Sequence, residues 1–177
     1  LVVTLGCLLL ATGCRFAVVG DSVASITRQE FGARGGETFA NGGVDIPTAR
    51  QALRELGRGE EPVVISLGLM DTSRWATEGE IERRIRNVLE QDVADVECVI
   101  WVDLHESSNV HRDWPERAGT FNAILEEVAA EYDRPVAHWS ERSADRPGWF
   151  QADGVHPNSL GQRHYAAFLA AAVEREC

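Results

Sequence analysis

Basic charge is scarce in this 177-residue sequence. Lys and Arg number 17 against 28 Asp and Glu, a formal net charge of −11 at pH 7. Nucleic-acid binding needs clustered cations, so nucleic acid is excluded as a partner. Direct adsorption to an anionic membrane surface is excluded on the same ground. Phosphate-cradling glycine loops are missing: neither GxGxxG nor GxxxxGKS/T occurs. The four cysteines, Cys7, Cys14, Cys98 and Cys177, lack the spacing of a zinc site. No repeat, low-complexity tract or linker interrupts the chain. The composition is 44% hydrophobic and 25% charged, which suits one globular domain with a full core.

Long apolar runs are also lacking. Leu1 to Thr12 is apolar apart from Thr4, Gly6 and Thr12, and about a dozen residues fall short of the roughly 20 that span a bilayer. The run matches the apolar part of a secretory signal. Ala11-Thr12-Gly13-Cys14 resembles a bacterial lipobox, in which the Cys is diacylated and becomes the new N-terminus. Residues 1–14 are therefore expected to be a signal or lipobox-like segment, with Cys14 as the lipidation candidate, and 15–177 the folded domain. The expected location is extracytoplasmic, secreted or held at the bacterial cell membrane by that anchor alone. No basic residue precedes the run and a strand starts directly after Cys14. A non-lipidated signal, or a first strand read too long, is the competing reading.

Strand and helix patterns alternate. Arg15–Gly20, Arg34–Phe39, Pro62–Leu67, Val96–Leu104 and Pro135–Trp139 read as strands. Ser22–Phe31, Ile46–Leu56, Glu78 to about Gln91, Pro115–Tyr132 and the segment from Ser159 to the C-terminus read as helices. Thr77 with Glu80, and Ser159 with Gln162, fit capping boxes. Continuously apolar strands must be covered on both faces, so the sheet is expected to be parallel. The predicted fold is a three-layer α/β/α sandwich on a five-stranded parallel sheet. Cys98 opens a predicted strand and Cys177 ends the last helix, so a Cys98–Cys177 disulfide fits, with Cys14 competing for either partner.

In such sheets the ligand site lies at the carboxyl ends of the strands. Three segments converge there. Gly20-Asp21-Ser22 follows the first strand and puts a hydroxyl on the sheet's rim, where a helix N-terminus can stabilise an oxyanion. Alone, it also reads as a helix cap. Asn41-Gly42-Gly43 follows the second strand, and a glycine backbone can approach a substrate closely. Asp153-Gly154-Val155-His156-Pro157 precedes the last helix. An Asp three residues before a His can orient the imidazole to take a proton from Ser22, although the same letters also spell a turn.

In order, spacing and α/β pattern these segments resemble the SGNH hydrolases, also called the GDSL esterase/lipase family, over nearly the whole chain from Arg15. The resemblance implies a flavodoxin-like sandwich and a Ser-His-Asp hydrolase of esters, often acetylated sugars or lipids. It implies Ser22 as nucleophile, His156 as general base and Asp153 as the orienting carboxylate. The backbone N–H groups of Ser22 and Gly43 would form part of the oxyanion hole. The family's Gly-x-Asn-Asp reads here Gly68-Leu69-Met70-Asp71. A Met thioether cannot donate the hydrogen bond that the Asn supplies, and Asn41 is the candidate replacement.

The expected function is an exported serine esterase acting on a small-molecule or glycan acyl ester, without metal or organic cofactor. The alternatives are acyl transfer to a sugar hydroxyl, or a domain that has lost catalysis at Met70 and binds a glycan or envelope partner. Trp75, Trp114 and Trp149 fall in loops at the same edge and are candidates for stacking on sugar rings, with loop packing as the competing role. Trp101 and Trp139 are expected in strands of the core. His105, Glu106 and His111 read as a polar surface loop rather than a metal site.

Overall fold

The computed structural model describes residues 15–74 and 76–177. The signal or lipobox segment with Cys7 and Cys14, and the stacking candidate Trp75, lie outside the described residues. Five strands, β1 (Phe16–Gly20), β2 (Gly36–Ala40), β3 (Val63–Ser66), β4 (Val99–Val102) and β5 (Val136–Ala137), form one sheet in the order β2-β1-β3-β4-β5. Every pairing is parallel, in keeping with the unbroken apolar runs of β1, β3 and β4; the edge strand β2 alternates, with Glu37 exposed. β1 sits between β2 and β3, so the chain leaves β1 in one direction and returns past it. That reversal opens a crevice at the carboxyl ends of β1 and β3.

Alternate strand residues feed two cores. Val19, Ile65 and Trp101 face the layer of α2 (Ile46–Leu56), α4 (Glu78–Asn87) and α5 (Trp114–Glu131), meeting Leu53, Ile85, Phe121 and Leu125. Val18, Val64 and Ile100 face α1 (Ser22–Gly32) and α7 (Ser159–Glu176), meeting Phe31, Tyr165 and Leu169. Burying each of these large side chains stabilises the fold by about 1.5–3 kcal/mol. Asp92, fully buried at the end of a π-helical turn that extends α4 (Val88–Asp92), binds Arg50 at 2.5 Å and Arg54 at 3.3 Å and so ties α4 to α2.

The Thr77–Glu80 capping box is present in full. The second box is not: Asn158 caps α7, its side chain accepting the Leu160 and Gly161 N–H groups, so Ser159 is the first helical residue. Two five-residue helices, α3 (Leu69–Ser73) and α6 (Trp139–Ser143), stand where no helix is expected from sequence. Trp139 is therefore helical rather than in β5, though it is buried. Cys98 and Cys177 form a disulfide with Cα atoms 5.6 Å apart, joining the start of β4 to the end of α7. It lies at the amino edge of the sheet, opposite the crevice. Among the described residues, no helix is long and apolar enough to cross a membrane.

Candidate active site

Three residues from opposite ends of the chain meet at the crevice. Ser22 is the first residue of α1, set directly after β1 and Asp21. Its Oγ lies 2.8 Å from His156 Nε2. His156 Nδ1 lies 2.7 Å from Asp153 Oδ2. The other oxygen of Asp153 accepts the N–H groups of Val155 at 2.9 Å and His156 at 3.0 Å. The carboxylate is thus held by its own loop as well as by the imidazole. Partial burial pushes its pKa up, but those hydrogen bonds prevail and hold it below the ordinary Asp value. It is a carboxylate at neutral pH, with the charge needed to stabilise an imidazolium. His156 and Asp153 side chains keep about a third of their surface, 30% and 31%, so the centre is reachable from solvent.

Asp21 is the buried partner of this arrangement. It is 2% exposed. One oxygen caps α1 through the Val23 N–H at 3.0 Å, and the other accepts the Leu69 N–H at 3.2 Å. Burial pushes its carboxyl up to about 7 against the pull of those two amides. Asp21 lines a cavity of about 30 Å³ with Ser66, Asp103, His105, Trp114 and Tyr165, large enough for an ordered water.

The loop after β2 and helix α3 flank Ser22. Asn41, Gly42 and Gly43 are exposed. Asp71, fully buried, accepts the Ile46 N–H at 3.0 Å and binds Arg84 at 2.5 Å. Arg74 donates to the Gly43 carbonyl at 3.3 Å and pairs with Asp45 at 3.4 Å. Both residues lie at α3 and hold the Gly43 loop to it. Gly68 precedes α3 at φ +131°, and the ring of Phe121 fills the space where its Cβ would stand, at 2.2 Å. Only glycine takes that conformation readily. Met70 lies half-buried on α3.

The sequence pattern of the GDSL-like Lipase/Acylhydrolase family matches residues 13–164. The chain belongs to this family. A curated relative, "Thioesterase 1/protease 1/lysophospholipase L1" of Escherichia coli (strain K12), is 29% identical over 141 residues, covering 75% of this chain and 65% of that protein. The chain thus spans just under two thirds of that relative's length. Among solved structures, a GDSL-like lipase from Bacteroides thetaiotaomicron superposes with a TM-score of 0.77 at 20% identity, covering 95% of this chain and 93% of the other. The C-terminal catalytic domain of Streptococcus pneumoniae peptidoglycan O-acetyltransferase A superposes with a TM-score of 0.71 at 18% identity, covering 94% and 96%. These two similarities establish the fold.

Two stacking candidates are corrected in this family member. Trp114 is 2% exposed, and its Nε1–H donates to the His105 carbonyl at 2.8 Å. Trp149 is 8% exposed and stacks on His164 at 4.1 Å and Trp139 at 5.7 Å. Their ring faces are taken by the protein, so neither is free to stack on a sugar. His105 is also buried rather than a surface residue. Its Nδ1 lies 2.7 Å from Ser143 Oγ, its ring stacks on Phe150, and burial lowers its pKa to about 4. The burial of Asp21, Asp71 and His105 carried no sequence signal, because Leu69, Arg84 and Ser143, which meet them, are remote in the chain. Asp21 was visible only as part of a helix cap, and Asp71 only as the family's acidic letter after Met70.

Proposed function

We propose that this GDSL-like acylhydrolase is an exported serine esterase of small acyl esters, an acetylated carbohydrate among them. The observation that carries the proposal is the continuous relay from Ser22 Oγ through His156 to Asp153, with both links under 3 Å. Ser22 Oγ attacks the ester carbonyl while His156 Nε2 takes its proton. Asp153 holds the tautomer and offsets the imidazolium charge. The bond to the leaving alcohol breaks as His156 returns the proton to it. Water, activated by the same imidazole, then releases the acid from Ser22.

The oxyanion would be met by the Ser22 N–H at the start of the 11-residue α1 and by the Gly43 N–H. Met70 supplies no donor where the family has Asn. Losing one such donor costs on the order of 10²–10³ in kcat, so turnover of simple esters is slow. Asn41 remains the candidate third donor. The Cys98–Cys177 disulfide supports an extracytoplasmic location, because such bonds persist in oxidising compartments. A lipid anchor at Cys14 belongs to the same proposal.

Hydrolysis of p-nitrophenyl acetate tests the reading. The parent releases p-nitrophenol, and Ser22→Ala reduces release to background while remaining folded. Equal release by both proteins would overturn it. Product analysis with a sugar acceptor separates transfer from hydrolysis, since a sugar hydroxyl and water can attack the same acyl-enzyme.

A further inference from the structure

The catalytic loop is braced by a segment remote from it in sequence. The connection from β4 to α5 runs over Asp153. The Asn109 N–H donates to the Asp153 carbonyl at 2.8 Å. Asn109 Nδ2 donates to the Ala152 carbonyl at 3.2 Å, and Ser108 Oγ donates to the Asp153 carbonyl at 3.4 Å. Gly154, between Asp153 and His156, stands at φ +75°, and the space beside its Cα is filled by Asn109 N at 2.9 Å and Nδ2 at 3.1 Å.

The brace is itself fixed. Ser108 Oγ accepts the N–H groups of Val110 and His111 at 3.2 and 3.1 Å, closing the tip into a turn. Asn122 on α5 accepts the Leu104 N–H at 2.8 Å, donates to its carbonyl at 2.9 Å and donates to Glu106 at 2.8 Å. Of the other bonds, Gln151 N–H to the His156 carbonyl and Gly154 N–H to the Gln151 carbonyl are internal to the loop, and Gln162 on α7 donates to the Pro157 carbonyl at 3.2 Å. The internal bonds shape the loop and the α7 bond ties its far end, but neither holds the Asp153 carbonyl.

We propose that Asn109, with Ser108, is a positioning residue for Asp153: it fixes the peptide from which the carboxylate reaches His156 Nδ1. The proposal rests on the Ser22–His156–Asp153 reading above. Truncation of Asn109 keeps its backbone N–H bond to Asp153 but removes the Nδ2 bond to Ala152 and the Nδ2 packing beside Gly154, so the loop can shift the carboxylate without unfolding. A displacement of about 1 Å at a reacting group costs as much as 10²-fold in rate. Asn109 is exposed, so its truncation leaves the core intact.

The test compares the parent with Asn109→Ala and Asn109→Asp in p-nitrophenyl acetate hydrolysis, in labelling by a serine-directed phosphonate, and in thermal melting. Asn109→Ala lowers kcat about tenfold with KM within about twofold. It slows labelling in parallel and leaves Tm nearly unchanged. Asn109→Asp keeps the shape but cannot donate to the Ala152 carbonyl, so it does not restore the rate. Unchanged kcat in Asn109→Ala would overturn the proposal. So would full recovery in Asn109→Asp, or a loss of rate matched by a loss of Tm. A parent that neither hydrolyses nor is labelled would instead overturn the esterase reading and this proposal with it. A labelled parent with an equally labelled variant would overturn this proposal alone.

Discussion

Asp21 Oδ2 accepts the backbone N–H of Leu69 at 3.2 Å, so the carboxylate that caps α1 beneath Ser22 also holds the first residue of α3. One buried group thereby sets two walls of the crevice, the helix that Ser22 opens and the helix that carries Met70.

That burial makes stability depend on pH with a definite sign. Folding raises the Asp21 pKa from 3.8 to about 7. Between those values the native chain holds more protons than the unfolded chain, so its contribution is full below about pH 4 and lost as pH rises through about 7. Asp21→Asn removes the ionisation. Between pH 5 and pH 8 the variant should gain on the parent by at least about 1 kcal/mol in urea titrations. One amide loses its acceptor in the variant, which adds a pH-independent offset. A stability difference constant across that range would contradict the account.

Met70→Asn puts an amide donor at the position where the family resemblance expects one. Turnover of p-nitrophenyl acetate should rise, by as much as about 10²-fold, with little change in KM. No change, or a loss, would mean that the oxyanion site is built from other groups.

Gly68→Ala places a Cβ against the Phe121 ring at 2.2 Å, in a backbone at φ +131°. Strain and overpacking together should cost about 3 kcal/mol or more. A urea midpoint equal to the parent's would show that Phe121 moves aside freely.

The Cys98–Cys177 bond closes a loop with a sequence separation of 79. On the chain-entropy account its removal by Cys177→Ala with Cys98→Ala destabilises the protein by about 4 kcal/mol. The bond sits at the edge opposite Ser22, so kcat of the folded variant should match the parent. A lower kcat in a fully folded sample would show that the two edges are coupled.

The sheet was legible because β1, β3 and β4 are apolar and buried throughout and its long helices are periodic; β2, GETFA, is the mixed edge strand. Ile46–Leu56 is the same in both accounts. Ser22, Asp153 and His156 were legible because Gly-Asp-Ser and Asp-x-x-His each place their groups within a few residues of a helix start. Helices α3 and α6 were not, since five residues are too few to show a period. Ser159 looked like a cap because its letters fit a box, but Asn158 lies one residue earlier and caps better. Trp114, Trp149 and His105 looked like loop residues at the rim, whereas their burial comes from partners far along the chain. Asn109 carried no signal at all, because its meaning lies in a contact across 44 residues to Asp153.

The most direct measurement is peptide mapping by mass spectrometry after reaction with a serine-directed phosphonate. The account predicts a single adduct on Ser22, lost in His156→Ala. A folded protein with Ser22 unmodified, or with label spread over other serines, would contradict it and favour a glycan-binding module instead.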